Sequence, residues 1–119
     1  MAKKNAKRLR LKRVTTSAAL YTLASDAVPA SQFWCLEKIA WEIDKVTSGG
    51  NTRCRLYIDT AAYKDILEEQ QSPAANNLYT YAEKTYLYPG ERLALDVDQA
   101  QNTTIVELTA RGYYELIKE

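Results

Sequence analysis

The stretch at residues 33–44, FWCLEKIAWEID, constrains the fold most, because its apolar residues change phase halfway along. Side chains on a β-strand alternate between two faces. The apolar residues keep that alternation in two runs that are out of phase by one position, namely Trp34 and Leu36, then Ile39, Trp41 and Ile43. One extra residue near Glu37-Lys38 would bring both runs onto the same face, and a β-bulge inserts one. The pattern therefore predicts one bent central strand that carries both tryptophans.

An amphipathic helix is the competing interpretation of this stretch, since Trp34, Lys38 and Trp41 are also spaced as on one face of a helix. Two neighbouring signals favour the strand. Pro29 lies just upstream, and the residues that follow, VTSGGNT at 46–52, are typical of a hairpin turn.

The net charge of +1 conceals a separation of charge along the chain. Residues 3–13 contain seven basic residues, and the first acidic residue is Asp26. Since the whole chain has 16 basic and 15 acidic residues, the N-terminal segment carries +7 and the remainder carries −6. The seven basic residues are Lys3, Lys4, Lys7, Arg8, Arg10, Lys12 and Arg13. Leu9 and Leu11 are the only large apolar residues among them, so we predict an extended basic arm at residues 1–13 that does not pack, followed by one domain at residues 14–119.

Short alternating segments separated by turn residues fill the rest of the chain. Beyond the central strand, strands are predicted at residues 14–23, 52–59, 78–82, 85–88, 92–98 and 103–111, with a short terminal strand or tail after Gly112. Pro89-Gly90 fits the two central positions of a type II turn. Residues 60–77 are the least strand-like part and are predicted to be a long connection with two or three helical turns. The pattern indicates an all-β fold, an antiparallel, jelly-roll-like β-sandwich of six to eight short strands, with a small closed barrel as the alternative.

Catalysis and metal binding have little support in this composition. The chain has no histidine, which is the commonest general base near neutral pH, and no Ser or Cys lies in a recognisable nucleophile turn. Cys35 and Cys54 are predicted to be buried free thiols in preference to a disulfide or metal ligands. Asp96 and Asp98 share a strand face and could bind calcium, although solubilising charge is the favoured interpretation. No cofactor is expected, and the absence of an apolar run near 20 residues or of a signal segment predicts a soluble protein with no membrane contact.

The tyrosines suggest an interface, because there are nine of them against one phenylalanine. Tyrosine combines a large apolar area with a hydroxyl group, which suits protein contacts. Stacked tyrosines that bind a sugar are a further interpretation. The candidates for an oligomer interface are Tyr57, Tyr79, Tyr81, Tyr86 and Tyr88.

Four segments in order carry a resemblance: VPASQFWCLEKIAWEID, RLYID, SPAANNLYTYAEKTYLYPGERLALDVD and IVELTARGYYE. Together they resemble small virion proteins of tailed bacteriophages, over residues 19–115. In that family a "VPA…W.L..I" strand, an "L.I" strand, a "pi.L.PGe.L" turn and a closing "v.v.GyyE" strand build a compact sandwich. The resemblance implies a non-enzymatic virion protein of the capsid decoration or cement type, often trimeric, with the major capsid protein or other virion proteins as partners. Related sandwiches occur in head–tail connectors, necks and tails, and these are the alternative.

The partner of the basic arm follows from charge alone, because the arm is not part of the resemblance. Lysine- and arginine-rich segments neutralise phosphates, so contact between the arm and DNA is one hypothesis, and a nucleic-acid-binding module is the corresponding function. The acidic remainder of the chain would repel a duplex. An acidic protein surface is therefore the favoured partner of the arm.

Overall fold

Two antiparallel β-sheets packed face to face make up the computed structural model, which describes residues 4–16, 19–45, 51–101 and 103–117. The strands are β1 (Lys4–Val14), β2 (Tyr21–Ala24), β3 (Gln32–Ile43), β4 (Arg53–Asp59), β5 (Lys64–Gln71), β6 (Tyr79–Tyr81), β7 (Thr85–Leu87), β8 (Arg92–Asp98) and β9 (Ile105–Leu116). The first sheet has the order β1-β9-β3-β6, with β7 also paired to β3, and the second has the order β2-β8-β4-β5. The predicted antiparallel sandwich is confirmed, but the described ranges contain nine strands and not the expected six to eight. No helix that could span a membrane occurs in the described ranges.

The central strand is β3, as predicted, and it contains the predicted bulge. It pairs with β9 along its length, and the register shifts between Leu36 and Lys38. The shift puts both apolar runs on the inner face, where Trp34 is 2% exposed and Trp41 is 1% exposed. The helical interpretation of this stretch is wrong.

Gly112 does not end a strand, because β9 continues through it to Leu116. It lies opposite Leu36 at the bulge, where β3 and β9 approach closely. A Cβ atom added at Gly112 would collide with the carbonyl oxygen of Cys35. This glycine therefore permits a close approach of two backbones and does not serve as a breaker.

The prediction of an unpacked N-terminal arm is wrong, because residues 4–14 form β1, an edge strand of the first sheet. It pairs with β9 over its full length, from Lys4 opposite Glu115 to Val14 opposite Ile105. Leu9 and Leu11 pack against the core. The composition misled the prediction because an edge strand needs only a few inward apolar side chains, while its outward positions tolerate charge. Residues 1–3 lie outside the described ranges, and a boundary after residue 13 falls within the strand.

Two further predictions fail at the edges of the sheets. The strand expected at 14–23 is the end of β1 plus the short β2, with a break between them. The connection expected at 60–77 contains β5, which pairs with β4 as the edge of the second sheet. Its polar sequence, KDILEEQQ, is tolerated because most of its side chains are exposed. The glycine pair expected in the hairpin turn, within residues 46–50, lies outside the described ranges.

The remaining strand predictions are confirmed by β4, β6, β7 and β8. The turn at Pro89-Gly90 is also confirmed: Gly90 has φ of 87°, and the Glu91 amide donates to the Tyr88 carbonyl at 3.0 Å. Cys35 and Cys54 are free, buried and on different sheets. Burial raises the pKa of the Cys54 thiol to about 12, so this thiol is protonated at neutral pH.

Candidate interaction surfaces

The outer face of the second sheet balances its own charges. The Arg55 guanidinium lies 2.8 Å from a carboxylate oxygen of Glu69, and Arg53 lies 3.6 Å from Glu69 and 3.7 Å from Asp98. The hydrogen bond from Arg55 lowers the pKa of Glu69. Each of these cations has an acidic neighbour, so this face offers little unmatched charge to a partner.

Asp96 is the buried centre of the same face. Its carboxylate accepts hydrogen bonds from the hydroxyls of Thr22 at 2.7 Å and Tyr57 at 2.8 Å, and from Lys64 Nζ at 3.0 Å. Burial alone would raise the pKa of Asp96, but these three donors outweigh burial and lower it. Protein donors thus occupy the carboxylate that could have bound calcium, and within the described ranges no group of three acidic or sulfur ligands exists.

Three of the five tyrosines predicted at an interface belong to the fold. Tyr57 is 3% exposed. Its pKa is raised mainly by burial and also by its hydrogen bond to Asp96. The Tyr79 ring stacks on Trp41 with 4.6 Å between centroids, and its hydroxyl accepts from the Ala74 amide. Tyr81 packs against the core and donates to Glu83 at 3.2 Å. Burial removes Tyr57 from any contact surface, so its place at an interface is corrected, whereas Tyr79 and Tyr81, which are partly exposed and cover core side chains, stay interface predictions.

The other two tyrosines lie on the outer face of the first sheet. Tyr86 is 44% exposed and Tyr88 is 57% exposed, and the Tyr88 ring stacks on Phe33 with centroids 6.5 Å apart. Tyr113 lies across the sheet from Tyr86, since both pair with Cys35. Its hydrogen bond with Cys35 raises the pKa of Tyr113 to about 12. We call Phe33, Tyr86, Tyr88 and Tyr113 the aromatic patch, of which the sequence indicated only the middle two.

The basic residues of β1 divide between two roles according to the pleat. The side that carries Leu9 and Leu11 also carries Lys7 and Arg13, and these two cations lie over aromatic rings. Lys7 Nζ is 4.2 Å from the Trp34 ring centroid, and Arg13 Cζ is 4.8 Å from that of Tyr21. These two side chains therefore cover aromatic rings next to the β1 edge of the sandwich.

The opposite side of β1 presents its cations on the outer face of the first sheet. They are Lys4, Arg8, Arg10 and Lys12, since residues in a strand alternate. Lys4 and Lys12 pair in register with Glu115 and Glu107. Lys3 lies outside the described residues.

Arg8 and Arg10 join two cations from other strands around a shallow groove of about 450 Å³. Arg111 of β9 lies opposite both Arg8 of β1 and Lys38 of β3. We call Arg8, Arg10, Lys38 and Arg111 with this depression the basic groove. Within the described ranges, none of the four forms an ion pair. Like charges placed opposite each other are destabilising, so the requirements of folding do not explain this row.

Solved structures similar to this chain were found by their fold. A chain in the acidic stable capsid structure of Helicobacter pylori bacteriophage KHP30 matches with a TM-score of 0.66 at 13% identity, over 100% of this chain and 95% of that chain. The structure of FLHE matches with a TM-score of 0.48 at 11% identity, over 90% of this chain and 96% of that chain. The decameric BFDV capsid protein matches with a TM-score of 0.33 at 11% identity, over 99% of both chains. The first shows a shared fold, and the other two are too distant to do so. No protein-family model matches the sequence, and neither does any curated protein.

Proposed function

We propose that the protein is a non-enzymatic structural protein of a bacteriophage virion, a capsid decoration or cement protein that binds the head through the outer face of its first sheet. The observation that carries the proposal is the contrast between the two outer faces. The second sheet pairs its charges internally. In the part of the chain that the structure describes, the first sheet exposes four cations that form no ion pair, on the same outer face as two exposed tyrosines. Arginine and tyrosine are enriched in protein interfaces.

Two further points support this role. The fold is shared, over the whole chain, with a chain in a bacteriophage capsid structure. The four sequence segments that resemble tailed-phage virion proteins include β3, β6, β7 and β8 and most of β4 and β9. On this proposal the partner is the major capsid protein, and the cations of β1 provide the attachment that the sequence assigned to a free arm.

The test uses phage heads that lack the protein. The purified protein should attach to them, and the Arg8→Gln/Arg10→Gln variant should attach more weakly, because it removes two cations from the proposed contact face. Lys45→Gln/Lys84→Gln is the matched control, since it removes the same charge from exposed positions elsewhere. Attachment should weaken as salt rises.

The copy number per particle separates this role from its alternative. A decoration protein is present on the order of hundreds of copies, whereas a neck or tail component is present in about three to twelve, in line with the ring symmetries of oligomers. Failure of the unaltered protein to bind heads, or a copy number in the lower range, would overturn the decoration role.

A further inference from the structure

The geometry of the basic groove points to a defined ligand: we propose that it binds a short acidic segment of a partner protein, with two or more carboxylates seated among Arg8, Arg10, Lys38 and Arg111. The identification of that partner as a virion protein rests on the proposed function. The chemistry of the groove does not.

Four cations from three strands converge on the depression. Arg8, Arg111 and Lys38 form one row across the sheet, and Arg10 stands one pleat further along β1, opposite Thr109. Three of the four are arginines, whose planar guanidinium matches a carboxylate with two parallel hydrogen bonds. The volume of about 450 Å³ is within the range that holds small ligands, so two or three side chains would fit.

The lining is also partly apolar, which suits a peptide. Ala40 and Leu78 also line the groove, and Leu78 is 55% exposed. A peptide segment that places its carboxylates on the cations can therefore cover this apolar surface with its backbone and with the aliphatic parts of its side chains.

Acidic residues on either side of the groove disfavour a nucleic acid. Along β9, Glu107 and Glu115 stand four residues before and after Arg111, about 13 Å away in an extended strand. Glu42 lies directly opposite Glu107, and Glu37 is exposed next to Lys38 in the bulge. A phosphate backbone that extends beyond the groove along the strands would meet carboxylates in both directions. The positive surface is short and bounded, which matches a compact cluster of carboxylates.

The experiment measures binding of a fluorescein-labelled hexaglutamate peptide at low salt, with a hexaglutamine peptide and a single-stranded oligothymidylate as comparisons. The variant is Lys38→Gln/Arg111→Gln, and the control is Lys4→Gln/Lys12→Gln, which removes the same charge from the same face at positions that have a glutamate opposite. Lys38 and Arg111 are exposed and adjacent to like charge, so the variant should fold and melt as the parent does.

We expect the variant to bind hexaglutamate at least about tenfold more weakly, and the control to bind it within about twofold of the parent. Equal losses in the variant and the control would overturn the proposal, because net charge alone would then explain binding. Tighter binding of the oligothymidylate, lost in the same variant, would overturn it in favour of a nucleic-acid site. Attachment of the unaltered protein to heads is scored separately, so a failure there counts against the decoration role and not against the groove.

Discussion

Gly112 lies where β9 passes the bulge in β3, and its missing side chain has an energetic consequence. A Cβ atom there would strike the Cys35 backbone, which cannot move without opening the centre of the first sheet. We expect Gly112→Ala to lower the free energy of unfolding by about 3 kcal/mol. Gly90→Ala is the control: its φ of 87° is unfavourable for alanine, but the space around it is open, so it should cost only about 1 kcal/mol. Urea unfolding measures both, and equal effects would refute this account of the bulge.

Asp96 makes stability depend on pH in a definite direction. Its pKa is lower in the folded protein, so its contribution is complete above the ordinary carboxyl pKa near 4 and is lost as the pH falls below it. We expect Asp96→Asn to cost about 1 to 3 kcal/mol at pH 7, and the difference from the parent to shrink towards pH 3. Urea titrations at both pH values measure it, with the exposed Asp26→Asn as the charge control. A difference that does not change with pH would contradict the three-donor arrangement.

At the scale of elements, β1 is a test of whether the basic segment is part of the fold. Deleting residues 1–13 removes the packing of Leu9 and Leu11 and leaves β9 as a bare edge. We expect the deletion to lower the free energy of unfolding by about 5 kcal/mol or more, which is a large part of the total for a small domain, and to promote aggregation. Arg8→Gln/Arg10→Gln should unfold like the parent, because these side chains point outward. Thermal unfolding of both proteins is the measurement, and an unchanged melting temperature in the deletion would restore the free arm.

The sequence predicted the central elements better than the edges, for a physical reason. In β3 and β8 the large apolar side chains face the core and alternate along the strand, and a single phase change was enough to reveal the bulge in β3. The edge strands β1 and β5 have one side in solvent, so their composition resembles that of an arm or a loop. The groove was half predicted: Arg8 and Arg10 came from local charge, whereas Lys38 and Arg111 join them only through the strand order β1-β9-β3 and the register shift at the bulge.

At the scale of the whole molecule, the aromatic patch is the surface most suited to contact a second copy. Tyr86 and Tyr88 are exposed side by side with Phe33 and Tyr113 at one end of the first sheet. We predict a trimer or another small ring, so native mass spectrometry at micromolar concentration should give a multiple of 13.5 kDa. Tyr86→Ser/Tyr88→Ser should shift it towards the monomer, and Tyr63→Ser, at a 67% exposed tyrosine beside the second sheet, should not. A monomer from the unaltered chain would refute the prediction.

The alternation of side chains along β1 allows the binding specificity of its outer face to change independently of the fold. Leu9 and Leu11 are constrained by their packing against the core. Arg8 and Arg10, which alternate with them, line the groove and are constrained only by what binds there. Substitutions at the outward positions of β1 can therefore alter the binding chemistry of this face without a folding penalty. The backbone of the strand is fixed by the fold, whereas its outward side chains can be replaced. The same alternate positions could therefore be substituted to give this face a new binding partner.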